Sequence, residues 1–227
     1  FTATWSANHY QIHLDTNGGT VSKDVVDVVF DSYYTLPTPS FDGYTFKGWF
    51  DSSSVQYSSG TYTLDRDLYL TARWEAIVYT ITYNLNGGTN NPANPTTYKV
   101  NDSNHVLQDP SRVGYTFLGW TTSSISTPTK DITISTGTFG NLTFTANWSA
   151  NKYNVTILLN GGEASKTSYE VTYDSLYSIE EPTRVGYGFA GFVDANNNSF
   201  ASSGIWKVDG DVTLTATWSA NTNTPYK

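Results

Sequence analysis

The chain has 227 residues, 38% of them hydrophobic and 15% aromatic, with a formal net charge of -8. That composition belongs to a folded domain and not to a disordered one. It contains no cysteine and no methionine, which excludes disulfides, thiolate metal sites and thiol nucleophiles. Its acidity makes a phosphate backbone or an anionic membrane a poor partner, and no apolar run reaches the roughly 18 to 20 residues that span a bilayer.

Seventeen Tyr, 11 Phe and 7 Trp against 14% charged residues suit short, half-buried strands better than long helices. In chain order, Phe1–Asn8 reads FTATWSAN and returns as FTANWSAN at Phe144–Asn151 and as LTATWSAN at Leu214–Asn221. Residues 1-8 are therefore expected to be the final strand of a preceding, truncated repeat, so that the chain is a fragment with any targeting segments elsewhere. A strand follows in which Tyr10, Ile12 and Leu14 alternate with Gln11, His13 and Asp15, a pattern repeated from Tyr79 to Leu85 and from Tyr153 to Leu159. Each run stops at Asn-Gly-Gly (Asn17, Asn86, Asn160), where positive φ is tolerated and a hairpin reversal is expected. A phosphate loop would need a lysine and a following helix, and neither appears.

After a second strand come Asp31-Ser32, Asp102-Ser103 and Asp174-Ser175, which would cap a short helix or make a turn that ends at Pro39, Pro110 and Pro182. Next stands a seven-residue phrase, GYTFKGW at Gly43, GYTFLGW at Gly114 and GYGFAGF at Gly186. Strict alternation puts Tyr44, Phe46 and Gly48 on one face of a strand and Thr45, Lys47 and Trp49 on the other. Ser- and Asn-rich loops separate it from a last strand in which Leu68, Leu70, Ala72 and Trp74 alternate with Tyr69, Thr71 and Arg73. The pattern recurs up to Trp148 and Trp218. A period of about 70 residues exceeds that of solenoid repeats, so each unit is a small domain. The expected limits are 9-76, 77-150 and 151-221, with 222-227 as a C-terminal tail or linker. Without staples, each unit must draw its stability from buried rings, so the phrase and the closing tryptophans read as core.

Candidate chemistry is sparse. His9 and His13 sit four positions apart on one strand, too far to share a metal, and His105 stands alone. Asp194, Asn196 and Asn198 open like a calcium loop, but Ser199 and Ile205 occupy the positions that need Gly and a bidentate Glu. The carboxylate pairs Glu180/Glu181 and Asp65/Asp67 fall beside proline or in turns, where solvated surface is the default. No catalytic, cofactor-binding or metal-binding residue is expected, and the chain reads as no enzyme.

The Asn-Gly-Gly turn, the Asp-Ser and Pro pair, PSRVGYTFLGW at Pro110–Trp120 and LTFTANW at Leu142–Trp148 together resemble the Listeria-Bacteroides repeat, the B-repeat of internalin-like surface proteins. Phe41-Asp42 replaces the Arg-Val of Arg112-Val113 and Arg184-Val185, and Phe192 replaces the tryptophan. The resemblance implies a β-rich α+β fold of tandem β-grasp-like modules, each a mixed sheet with one short helix, arranged as an elongated rod. It also implies an extracellular protein at the bacterial cell surface or wall.

Three functions fit: a non-enzymatic stalk that projects a distal adhesin-like binding domain, a glycan- or host-protein-binding module using Tyr33, Tyr34, Tyr57 or Tyr62, and homophilic assembly through edge strands. The expected partners are adjacent repeats and other domains of the same chain, with a host glycan or protein under the second reading. The chain itself is expected to be monomeric, without nucleic acid, cofactor or membrane insertion.

Overall fold

The computed structural model describes residues 1–221; the expected tail, 222-227, lies outside the described residues. The first repeat runs β1 (His9–Asp15), β2 (Val25–Val29), β3 (Tyr33–Tyr34), β4 (Tyr44–Phe50), β5 (Gln56–Tyr57), β6 (Gly60–Thr61) and β7 (Leu68–Ala76). Five of these form one sheet in the order β2-β1-β7-β4-β5, while β3 and β6 make a separate ribbon. β1 and β2 are antiparallel across the Asn-Gly-Gly reversal, whereas β1 and β7, the first and last strands, are parallel neighbours with Ile12 opposite Leu68 and Leu14 opposite Leu70. The alternation read from the sequence delivers Ile12, Leu14, Leu68, Leu70 and Ala72 to one face, where Val28, Trp49 and Tyr62 complete a buried core.

The second repeat runs β8 (Val78–Asn84), β9 (Thr97–Lys99), β10 (His105–Val106), β11 (Tyr115–Thr121), β12 (Thr133–Ile134) and β13 (Leu142–Ala150). β8 pairs with β9, β10 with β12 and β11 with β13, all antiparallel. The third comprises β14 (Lys152–Leu158), β15 (Ser168–Thr172), β16 (Leu176–Ser178), β17 (Tyr187–Val193), β18 (Ser199–Phe200), β19 (Ser203–Ile205) and β20 (Val212–Ala220). It repeats the plan of the first: sheet order β15-β14-β20-β17-β18, with β14 parallel to β20. Its core is Val155, Ile157, Val171, Ile179, Phe192, Trp206, Leu214 and Ala216. The chain gathers into two compact units, one of Phe1–Thr82, Asn94–Leu107 and Thr133–Thr143, the other of Tyr83–Ala93, Gln108–Ile132 and the chain from Phe144 onward. The second repeat thus contributes to both.

Two expectations are corrected. The β-rich α+β class, with one short helix per β-grasp-like module, does not hold, because the described residues contain no helix. Of the two readings of the Asp-Ser pair, a helix cap or a turn, the structure takes the turn: Asp31 and Asp174 adopt φ of 61° and 59°. A left-handed residue starts a tight turn and cannot serve as an N-cap, whose backbone is extended. The residues that follow, rich in Tyr, Leu and Thr, run as short strands, Tyr33–Tyr34 against Gly60–Thr61 and Leu176–Ser178 against Ser203–Ile205.

The second correction concerns the phrase. Its alternation is broken by a β-bulge between Phe46 and Gly48, so that Phe46 faces Trp74 and Trp49 faces Ala72. Since Ala72 and Trp74 share a face, so do Phe46 and Trp49, whose rings meet edge-on at 5.5 Å. The second glycine of the phrase makes this possible: Gly48, Gly119 and Gly191 have φ of 129°, 137° and 117°.

Residues 1-8 form no regular strand, and Trp5 is 93% exposed.

Candidate functional site: the repeat junctions

Three of the four tyrosines proposed as glycan platforms are engaged in the first repeat itself. Tyr62 is 2% exposed and donates its hydroxyl to the Arg66 carbonyl at 2.6 Å. Tyr34 donates to the Ser58 carbonyl at 2.8 Å and Tyr57 to Asp51 at 3.4 Å. Burial raises the pKa of all three. Only Tyr33 is largely free, at 73% exposure. His13 stacks on Tyr69 at 4.6 Å, His9 stands at the start of the same strand, and His105 sits 3.9 Å from Asp102. Among the described residues no group of three or more His, Cys, Asp or Glu could hold a metal.

The candidate carboxylates serve the backbone. Asp194 Oδ1 accepts from the amides of Asn196 at 2.9 Å and Asn198 at 2.8 Å, and those bonds, with the Asn198 side chain first among them, hold its pKa down. Asp51 closes the corresponding loop of the first repeat in the same way, through Ser53 and Val55. Glu180 accepts from the Ser165 amide at 3.1 Å, and Glu181 from the Ser202 hydroxyl at 2.7 Å. Asp67 accepts from the Gln11 amide at 2.8 Å, as Asn141 does from Thr80 and Asp211 from Asn154; Asp65 stays on the exposed turn.

What recurs with defined geometry is a ledge inside each repeat and a seam between repeats. In the ledge, Asn17, Asn86 and Asn160 take φ of 48°, 49° and 48°. Their amides reach across to the carbonyls of Ala72, Ala146 and Ala216. The second glycine of each turn lies under a closing tryptophan: a Cβ on Gly19, Gly88 or Gly162 would stand 2.5, 2.5 or 2.3 Å from the indole Cζ2 of Trp74, Trp148 or Trp218. Each indole N–H then donates to the end of its own first strand, at Thr16, Leu85 and Leu159. These tryptophans are half-buried lids.

The seams use the first glycine of the phrase. A single residue, Ile77, separates β7 from β8, and Asn151 alone separates β13 from β14. The Ile77 amide donates to the Gly43 carbonyl, and the Asn151 amide to that of Gly114, both at 2.9 Å. The Asn151 carbonyl in turn accepts from Tyr173 of the third repeat at 2.9 Å. Gly43 has φ of 83° and presses on Val100; Gly114 has φ of 76° and presses on the Tyr173 ring, leaving 2.8 and 2.3 Å for an added Cβ. At the second seam the Tyr115 hydroxyl donates to Asp174 at 2.8 Å, Lys207 pairs with the same carboxylate, and Arg112 stacks on the Tyr115 ring at 3.6 Å. Lys207 and Tyr115 together hold the Asp174 carboxyl below its ordinary range. These contacts surround an open groove of about 350 Å³. The sequence showed the glycines but not their partners, because a residue at Val100 or Tyr173 carries no pattern that points to the preceding repeat.

The model of the Listeria-Bacteroides repeat domain matches this chain at residues 10–73, 79–147 and 153–217. A protein of Evansella cellulosilytica named as a Gly-rich membrane protein is 30% identical over 187 residues, which cover 80% of this chain and 20% of that protein. Another from the same organism, named as a membrane protein, is 28% identical over 232 residues, covering 96% of this chain and 34% of its own length. The chain thus spans a fifth and about a third of the relatives it matches. With three matches in tandem, each closing on the ledge described above, the chain belongs to the Listeria-Bacteroides repeat family.

Proposed function

We propose that the chain is a non-enzymatic stalk segment of a bacterial cell-surface protein, exported from the cell and holding a distal binding domain away from it. The relatives' names as membrane proteins support the location. One observation carries the role: in the first and third repeats the first and last strands are parallel neighbours, β1 with β7 and β14 with β20. Tension entering at one end of such a repeat and leaving at the other loads their hydrogen bonds in shear, all together, instead of unzipping them singly. One-residue connections leave no slack between repeats. Single-molecule pulling on the whole chain tests this. Separate ruptures are expected, each releasing on the order of 200 Å, the contour of about 70 residues less the folded span. Smooth low-force extension would sink the proposal.

The binding-module reading has one feature in its favour. At the first seam a groove of about 450 Å³ is lined by Phe41, Tyr44 and the half-exposed Phe139, with Asp42 and Asn101 among its polar neighbours. Loss of glycan or host-protein capture on Phe139→Ala would favour it over the stalk.

A further inference from the structure

The Asn-Gly-Gly turns place one reactive dipeptide at the same point of every repeat. Asn17-Gly18, Asn86-Gly87 and Asn160-Gly161 are the only Asn-Gly pairs in the sequence. An asparagine carboxamide is open to attack by the backbone nitrogen of the residue that follows it, and glycine, with no side chain to obstruct the ring, makes that attack easiest. All three asparagines are exposed, so water reaches them and burial gives no protection. What restrains them is conformation.

Closing the five-membered ring requires the asparagine Cβ and the glycine nitrogen to stand on the same side of the Cα–C bond. At φ of 48°, 49° and 48° the asparagines lie in the left-handed region, where the two stand nearly opposite. Rotation to the reactive geometry is opposed by three hydrogen bonds in each turn. The carboxamide Nδ2 donates across the sheet to the carbonyls of Ala72 at 3.3 Å, Ala146 at 2.8 Å and Ala216 at 3.2 Å. The carbonyl just before each asparagine, on Thr16, Leu85 or Leu159, accepts from the amide of the second glycine at 3.1, 3.0 and 3.0 Å. The same carbonyl accepts from the indole of Trp74, Trp148 or Trp218 at 2.9, 2.9 and 3.2 Å. The ledge that seals each core therefore also clamps its asparagine.

We propose that Asn17, Asn86 and Asn160 are latent deamidation sites, held off by the folded ledge and released when a repeat opens. In the opened chain the glycine nitrogen gives its proton to water and bonds to the asparagine Cγ. The Cγ–Nδ2 bond breaks, ammonia leaves, and water opens the resulting succinimide at either carbonyl to give aspartate or isoaspartate. An amide and a water become a carboxylate and ammonium, with no change of oxidation state. The product fits the ledge poorly: aspartate presents an acceptor to the alanine carbonyl where a donor is needed, and isoaspartate adds a backbone carbon to a tight turn. The modification thus records each opening irreversibly and weakens the repeat that bears it. This goes beyond the stalk proposal and does not depend on it, since thermal or chemical opening serves as well as tension.

Peptide mapping by mass spectrometry tests the proposal on the whole chain, incubated at mildly alkaline pH in buffer and in guanidinium above the unfolding midpoint. Each Asn-Gly site is expected to deamidate at least about tenfold more slowly in the folded chain, because only the opened fraction reacts. In Trp218→Phe, which keeps a ring over Gly162 but no indole donor, folded-state deamidation should rise at Asn160 and stay unchanged at Asn17 and Asn86. Should that variant fail to fold, the comparison of folded and unfolded states in the unaltered chain decides alone. Equal rates in the two states overturn the proposal, as does an Asn160 rate that ignores Trp218→Phe in a folded protein.

Discussion

Substituting Gly162 by alanine is the sharpest test of the tryptophan ledge. The added methyl would sit 2.3 Å from Cζ2 and 2.7 Å from Cη2 of Trp218, with the Thr183 carbonyl 2.9 Å away on the other side. That carbonyl cannot retreat easily, because Glu163 and Thr183 exchange both backbone hydrogen bonds, at 2.8 and 2.9 Å. The ring must therefore move by about 1.2–1.7 Å to reach ordinary carbon–carbon separations. Doing so pulls its N–H from the Leu159 carbonyl, now at 3.2 Å, and disturbs its edge-on contact with Phe189 at 5.9 Å. Overpacking of this kind costs about 1–3 kcal/mol, and the lost hydrogen bond adds about 0.5–1.5 kcal/mol. The expected destabilisation is about 2–4 kcal/mol, or roughly 10–25 °C in the melting of a domain this small. Urea denaturation followed by tryptophan fluorescence measures it, and hydrogen exchange assigns the loss to the third repeat. Gly60→Ala is the control: nothing lies within 4 Å of its Cβ position, so it should be neutral or stabilising by up to about 1 kcal/mol through the unfolded chain. A Gly162→Ala protein within about 0.5 kcal/mol of the parent would refute the ledge as the reason for the second glycine.

The two buried tryptophans of the phrase should respond differently to phenylalanine. Trp49 donates its N–H to the Pro37 carbonyl at 2.9 Å, whereas the Trp120 N–H has no hydrogen-bond partner among the described residues. Trp49→Phe should thus cost about 1 kcal/mol more than Trp120→Phe in chemical denaturation, and equal losses would contradict the assignment. Asn160→Ala forfeits both a residue suited to φ of 48° and a hydrogen bond to the Ala216 carbonyl; the third repeat should lose about 1–2 kcal/mol, and Asn160→Gly less. At the second seam, hydrogen bonds from Lys207 and Tyr115 depress the Asp174 pKa. A depressed folded value gives stability that is present above the unfolded pKa of about 3.9 and is lost as pH falls through the folded one. The seam should consequently loosen only below about pH 4, which a carboxyl NMR titration and exchange at Tyr173 would follow; in Asp174→Asn that acid step should vanish.

The strands were readable because burial on one face imposes a period of two, and β1, β7, β14 and β20 keep it without interruption. Two features escaped this logic. The bulge at Gly48 inserts one residue, and any pattern of strict alternation then assigns Trp49 to the wrong face; the glycine was the visible clue, since its φ of 129° suits few other residues. The helix expected after Asp31 and Asp174 failed because an aspartate before a short apolar run signals an N-cap and a left-handed turn equally well. What separated them was the β-branched and aromatic run beyond, too short to form a helix by itself. For the site, the candidate carboxylates were correctly spotted as polar groups, but the partner of Asp67, the Gln11 amide, lies 56 residues away. No local pattern reports a contact over that distance.

The recurrence of the phrase then follows from two separate demands on its two glycines. The second, at Gly48, Gly119 and Gly191, serves the repeat that contains it, turning the following ring inward; it is needed in all three and has positive φ in all three. The first serves the next repeat. Gly43 and Gly114 lie against Val100 and Tyr173, too close for any side chain, with left-handed backbones of φ 83° and 76°. Ile77 is the only residue between β7 and β8 and Asn151 the only one between β13 and β14, and each donates its amide to that glycine's carbonyl, so the seam and the peptide chain meet at the same point. On the stalk proposal, tension would reach the β13–β14 connection at a residue already bonded on both sides, and would pass to the parallel pair β14 and β20 without first straightening a linker.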